Sequence, residues 1–563
     1  MLARLGFTGA AAVAAAWVSN AIGYAEAPTP LLAQQEAPRP QQAAAQPAQQ
    51  QAPKPQQPAQ QRPQPNGQQA APAQQNAQPF PPPPEVFGFA TVQRIAHERA
   101  MHPYENRSTH LPQVLSKLGY DQYRDIRFRR AYALWHNQSL FEVQFFHRGF
   151  NFDRRVSISE VVEGVARPVE YNPAWFEFGR LARVATKLPL DLGFAGFRVH
   201  YPLQTPNYKD ELIVFLGASY FRVLGRNQAY GLSARGLAIN TATTAGEEFP
   251  WFTDFWLVKP QSEQRSLTIY AVLDSESITG AYHFEVRPGR ITQVEVTCEL
   301  YPRRSIEKLG IAPLTSMFFY GEDQSAHRFD DYRPQVHDSD GLMAQTGSGE
   351  WLWRPLVNPH ELRVNRYMDE HPKGFGLIQR DRDFTHYQDP ESNFQRRPSY
   401  WIQPLGDWGK GGVELVEIPT DEEIHDNIVA YWVPSGAVEA SRPLKYAYLL
   451  SSHGDSPAWP PGGKAIATRT AGAGSREDVR RVIIDFAGGD LDGLDRTQPV
   501  RAYVTANGGR VDTVTVERIA ETGAWRVTFR VTPSKAKQPV DIRCYLTLYG
   551  EALTETWMNQ LTT

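Results

Sequence analysis

Apolar and polar residues alternate along most of this chain. Period-two alternation runs through residues 141–146, 197–201, 266–273 and 291–296, each stretch bounded by Gly, Pro, Asn or Asp. Successive side chains of a strand point to opposite faces, so the pattern predicts half-buried strands joined by turns, as in antiparallel sheets. Helical spacing is confined to the start of the folded part. Phe89, Val92, Ile95, Ala96 and Arg99 predict one short helix, and residues 111–118 a second. No strand–helix–strand rhythm follows, which disfavours a parallel α/β fold. The predicted fold class is mainly β, an antiparallel sandwich or barrel.

Breaks in this pattern divide the chain. Residues 1–27 read as a signal peptide: Arg4 precedes an apolar run over 7–22, and small residues follow at cleavage spacing. The run is too short, and too polar at Ser19-Asn20, for a membrane anchor. Residues 28–84 collapse to Gln, Pro and Ala and read as a disordered tether. The main β domain is expected over 85–454. A Gly-, Pro- and Ser-rich linker is expected over 455–474, and a smaller sandwich over 475–563. The last has the size of an immunoglobulin-like unit. Its turn Ala506-Asn507-Gly508-Gly509-Arg510 predicts a hairpin.

Composition narrows the function classes. The 563 residues carry a formal net charge of -3 without a basic block, so nucleic acid is not an expected partner. Two cysteines, Cys298 and Cys544, are too few for a disulfide scaffold and read as buried free thiols. No histidines stand at metal-ligand spacing, and phosphate-loop and dinucleotide glycine patterns are absent from the sequence. Gly347-Ser348-Gly349 lacks the strand–elbow–helix setting of a serine hydrolase. Asp338-Ser339-Asp340-Gly341 begins like a calcium loop but lacks the later acidic ligand and the flanking helices. No metal and no cofactor are called for.

The chemistry concentrates in residues 332–432. Five tryptophans, many carboxylates and several arginines recur there between Gly and Pro breaks. Rings that stack on a sugar's apolar face, beside charged groups that bind its hydroxyls, suit a carbohydrate cleft. Large β-proteins also bury tryptophan beside ion pairs, and the pattern alone admits both readings. Glycoside hydrolysis needs one carboxylic acid to protonate the leaving oxygen and a second carboxylate to activate water or attack carbon. Asp426 stands immediately before the apolar run 427–432, where desolvation could hold its proton near neutrality. Asp338 sits in a Gly-bounded turn after Val336, where it could reach a cleft.

These stretches also carry a family resemblance. Residues 332–341, the Gly-Glu-Trp-Leu-Trp-Arg-Pro run at 349–355, and residues 374–384, 406–415 and 418–432 resemble the OpgG/OpgD (MdoG/MdoD) family. These are periplasmic glucans biosynthesis proteins of Gram-negative bacteria. The likeness extends upstream through 178–179, 192–197 and 247–252. It implies a large N-terminal sandwich of galactose-mutarotase-like supersandwich type carrying a cleft, then an immunoglobulin-like sandwich. It also implies a periplasmic location and work on osmoregulated glucans with a β-1,2-linked glucose backbone. Members resemble inverting β-1,2-glucanases, cyclising transglycosylases, or non-catalytic factors that assist a membrane glucan synthase. The family's paired aspartates match Asp426, assigned as general acid, and Asp338, assigned as general base through water. Glucan would stack on some of Trp251, Trp351, Trp353, Trp401, Trp408 and Tyr431. Asp383 is a further substrate-binding candidate, and Arg333, Arg354, Arg380 and Arg382 would bind hydroxyls or hold loops. Residues 381–389 resemble the D type, whereas the lack of a twin-arginine signal is similar to the G type. The smaller sandwich is left for partner docking or homodimer contact.

Overall fold

Strand Ile278–Arg287 pairs on its two edges with Leu267–Asp274 and Thr292–Pro302. Most of its side chains are buried because one face enters the main core and the other is covered near Ala281. In this computed structural model, residues 86–106, 111–186, 188–322, 329–455, 459–473, 476–535 and 538–561 are described. The signal peptide expected at 1–27 and the tether expected at 28–84 lie outside them. The architecture is the mainly β, sandwich-type arrangement expected from the alternation.

A 15-stranded sheet contains those three strands, and a 10-stranded sheet lies across from it. The 10-stranded sheet is antiparallel throughout. Its central order is Tyr208–Leu216, Tyr220–Val223, Ser233–Arg235, Leu309–Ser316, Ile428–Pro434 and Lys410–Glu417. Inward-facing rings of the two sheets meet in one core. Phe215 of the smaller sheet packs 5.2 Å from both Phe255 and Phe284 of the larger. Such aromatic pairs add about 0.5–1.5 kcal/mol each beyond the area they bury.

The helix predicted from Phe89 forms over Phe89–Ala100 and buries Val92 and Ala96 against the outer face of the larger sheet. Thr279 Oγ1 donates to the Ala96 carbonyl at 2.7 Å, and Arg99 reaches Asp254 at 2.7 Å. The second predicted helix is a single turn, Gln113–Ser116.

Towards the C-terminus, Lys464–Ala473, Arg476–Ala487, Trp525–Pro533 and Gly509–Arg518 form a four-stranded sheet. Two expectations are corrected here. Residues 464–473 were expected in a linker, yet they form an edge strand along Arg476–Ala487. The hairpin expected at Ala506–Arg510 does not form. Arg501–Asn507 pairs with Val540–Leu548, whereas Gly509–Arg518 pairs with Trp525–Pro533 in the other sheet. Gly508, at φ +87°, turns the chain between sheets, and a Cβ there would approach the Pro539 carbonyl to 2.8 Å. Turn residues specify a reversal, but the strands' apolar faces decide which partner each takes.

Strand Thr556–Leu561 continues the 15-stranded sheet by parallel pairing with Trp351–Pro355, with Trp353 opposite Trp557. Met343, Trp353, Ile378 and Trp401 therefore share one core with Val482, Phe486, Val527 and Trp557.

Candidate active site

The two aspartates are brought together by the strand order. Leu309–Ser316 lies between Ser233–Arg235 and Ile428–Pro434, with Ser316 opposite Ile428. The chain then runs through Phe318–Tyr320, which pairs antiparallel with Val336–His337. Asp338 follows, its backbone N–H donating to the Met317 carbonyl at 2.8 Å. Asp426 stands two residues before Ile428. Asn427 fastens the two segments to each other. Its Oδ1 accepts from the Phe318 N–H at 2.8 Å, and its amide donates to the Phe318 and Ile418 carbonyls at 3.0 Å.

The two carboxyls sit in unequal surroundings. Asp338 is 1 % exposed and forms an ion pair with Arg397. Arg397 lies 4.1 Å over the Phe394 ring, and its carbonyl accepts from Arg382. Gly231 leaves room for it, since a Cβ there would come within 2.8 Å of the Arg397 Cβ. Asp426 is 6 % exposed, and its buried Oδ2 has no hydrogen-bond partner. Burial pushes its carboxyl up to about 7, against the pull of Arg222 and Arg397 and with the push of the Asp338 charge. On the same sheet, Ser233 and Thr315 stand opposite each other, and their buried hydroxyls also have no partner. A carboxyl that keeps its proton near neutrality can donate it, and an ion-paired neighbour remains as a second charge.

The other expected site residues do not converge on this pair. Trp353, Trp401, Trp408 and Tyr431 are buried in packing. Trp408 donates to the Ala447 carbonyl at 3.1 Å, and Tyr431 donates to Glu414 at 2.7 Å. Trp351 is half-buried beside Trp401 and Trp459. Arg380 lies 3.5 Å over the Trp353 ring and binds Glu555 at 2.6 and 2.7 Å. Arg354 is buried against Glu417 at 3.1 Å. Arg333 ties together Asp331, Asp389 and Glu423. Arg382 holds loop carbonyls, and exposed Asp383 caps a short turn through Thr385. Trp251 lies under Arg154 on the wall of a separate cavity of about 330 Å³. Arg222, Arg397, Asn427, Ser233 and Thr315 escaped the sequence reading. Only Asn427, adjacent to Asp426, lay within a motif already singled out.

A larger cavity, about 790 Å³, opens beside the segment that carries Asp338. His337, Asp340, Trp353, Arg380, Arg382 and Asp383 line it, and Asp338 does not. Asp340 accepts from the Arg380 and Asp381 amides and stands 3.2 Å from His337. Among the described residues, no three His, Cys, Asp or Glu side chains are grouped to hold a metal. Cys298 and Cys544 are both free and buried.

A double-sandwich β-protein with two buried, unequal carboxyls at one end of its smaller sheet is the class these features define. The chain belongs to the MdoG family, described as periplasmic glucan biosynthesis protein, whose model matches residues 87–561. It is 46% identical over 485 residues to the glucans biosynthesis protein G of Ralstonia nicotianae, covering 84% of this chain and 95% of that one. It is 43% identical over 488 residues to the probable glucans biosynthesis protein D of Shewanella oneidensis, covering 85% and 90%. Glucans biosynthesis protein G of Rhodopseudomonas palustris (strain BisA53) is 45% identical over 488 residues, covering 86% and 95%.

Proposed function

We propose that this protein is exported to the periplasm and cleaves the β-1,2-linked backbone of periplasmic glucan with inversion at the anomeric carbon. The observation that carries the reading is Asp426: a carboxyl pushed up to about 7 by burial, with one oxygen unpartnered, beside the Asp338 charge. Asp426 gives its proton to the glycosidic oxygen as the bond to the anomeric carbon breaks. Asp338 takes a proton from the water that attacks that carbon from the opposite face. The relatives' names connect the family with glucans, and no cofactor enters these steps.

A second reading is a glucan-binding factor that assists a membrane glucan synthase. The Arg397–Asp338 ion pair favours it, because the guanidinium already occupies one oxygen of the carboxylate that the first reading needs as base. The experiment is to incubate the full chain with linear β-1,2-glucan and follow new reducing ends, alongside Asp426→Asn and Asp338→Asn. The glucanase reading expects turnover that both substitutions abolish while glucan binding survives. Binding without turnover in the parent protein would leave the second reading.

A further inference from the structure

The 790 Å³ cavity lies within the range of clefts that enclose small-molecule ligands, roughly 300–1,000 Å³. Its walls come from two separate stretches of the chain, 318–386 and 459–469. One is formed by loops of the larger sandwich bearing Glu322, Asp381 and His386, and the other by strand Lys464–Ala473. That strand is the edge of its sheet, and its register breaks between Ala465 and Ala467, releasing Ile466 from the pairing. Trp459 brings a half-buried ring to the same wall, 5.7 Å from Trp351 and 4.5 Å from Trp401.

Acidic and basic side chains are balanced on this cavity, with Glu322, Asp340, Asp381 and Asp383 set against Arg380, Arg382, Lys464 and Arg469. Glu322 is paired with Arg469 across the two walls, and Asp381 with His386 at 2.7 Å. A phosphate or carboxylate ligand would call for an excess of cations, and a metal for an excess of carboxylates. Pairs that both donate and accept, arranged around a tryptophan, match a neutral polyol whose hydroxyls do the same.

We propose that this groove is a saccharide-binding site, completed by Trp459 and Arg469, that holds a stretch of β-linked glucose chain away from the carboxyl pair. The proposal rests on the glucan reading above. The site takes the chain across the segment 336–340, where His337 and Asp340 face the groove while Asp338 turns to Arg397.

Titration calorimetry of the full chain carrying Asp426→Asn, with short linear β-1,2-linked gluco-oligosaccharides, tests it. Trp459→Ala is expected to weaken binding by about tenfold. Arg469→Ala and His386→Ala are expected to weaken it by roughly threefold. His386→Ala changes an exposed side chain and should leave the melting temperature unchanged, whereas Arg469 also reaches buried Asp485 at 3.1 Å, which Arg526 continues to hold in the variant. In the turnover assay, Trp459→Ala should raise KM and leave kcat close to the parent value. Unaltered affinity in Arg469→Ala and His386→Ala would overturn the proposal even if Trp459→Ala failed to fold. A result of that kind, obtained with Asp426→Asn still inactive, would reject the groove and spare the carboxyl pair. Absence of oligosaccharide binding by any form would reject both.

Discussion

Two buried charged regions of this protein are built to opposite rules. Where the sandwiches join, charges are matched: Arg380 meets Glu555 with both ends of its guanidinium while lying on Trp353. Arg354 likewise meets Glu417, and on the 10-stranded sheet Glu414 takes Lys308, Arg366 and Tyr431. Around Asp426 the matching stops. Its Oδ2 is buried without a partner. An unsatisfied buried polar group costs about 1–3 kcal/mol, and native structures keep few of them. Matched charges hold a junction together. Unmatched ones, kept at that cost, mark groups held ready for something that arrives.

The largest expected effect separates the two regions by activity. Asp426→Asn should lower glucan cleavage by about 10²–10⁴-fold, the usual contribution of a general acid, as read from reducing-end release. Glu555→Gln should leave the rate per folded molecule near the parent value. Equal losses in the two variants would erase the distinction drawn between them.

Stability should show the reverse. Removing one partner of a buried ion pair costs about 3–5 kcal/mol, so Glu555→Ala should shift the denaturant midpoint strongly. A loss well under 1 kcal/mol would mean that the junction does not depend on this pair. Asp426→Asn should instead stabilise the protein in a pH-dependent way. The folded carboxyl sits near 7 against an ordinary value of 3.8, so in that window the native state keeps a proton the unfolded chain has lost. Stability of the parent should therefore fall as pH rises from about 4 to about 7 and level off above. The variant lacks this slope, and its advantage should approach about 4 kcal/mol at pH 8 and vanish near pH 4. Thermal melts across that range measure it.

The smallest effect concerns Arg397. If it orients Asp338 for the reaction, Arg397→Gln should slow cleavage by roughly tenfold, the worth of about 1.4 kcal/mol. If the ion pair instead locks the carboxylate, the same change should raise turnover.

Strand alternation made the mainly β class legible, and the helical spacing from Phe89 located a helix correctly because one face packs on a sheet. The position of Asp426 before an apolar strand made its desolvation legible as well. Pairing partners were not legible. The Asn507-Gly508 turn reads as a hairpin, yet the strands on either side belong to different sheets, because long-range burial outweighs turn chemistry. The tryptophans misled for a related reason. A ring beside Arg and Glu looks the same in sequence whether the trio faces a sugar or, like Trp353, Arg380 and Glu555, faces inward. Arg222 and Arg397 come from distant segments and meet the aspartates only through sheet order and a loop, which no local pattern records.

The central claim is that Asp426 holds a proton near neutrality and spends it on the glycosidic oxygen. The most direct measurement is the pH dependence of reducing-end release from linear β-1,2-glucan by the full chain. The rate should decline on an alkaline limb near pH 7, where Asp426 loses its proton. Cleavage that continues undiminished well above that pH, or a protein that binds the glucan and never cleaves it, would contradict the account.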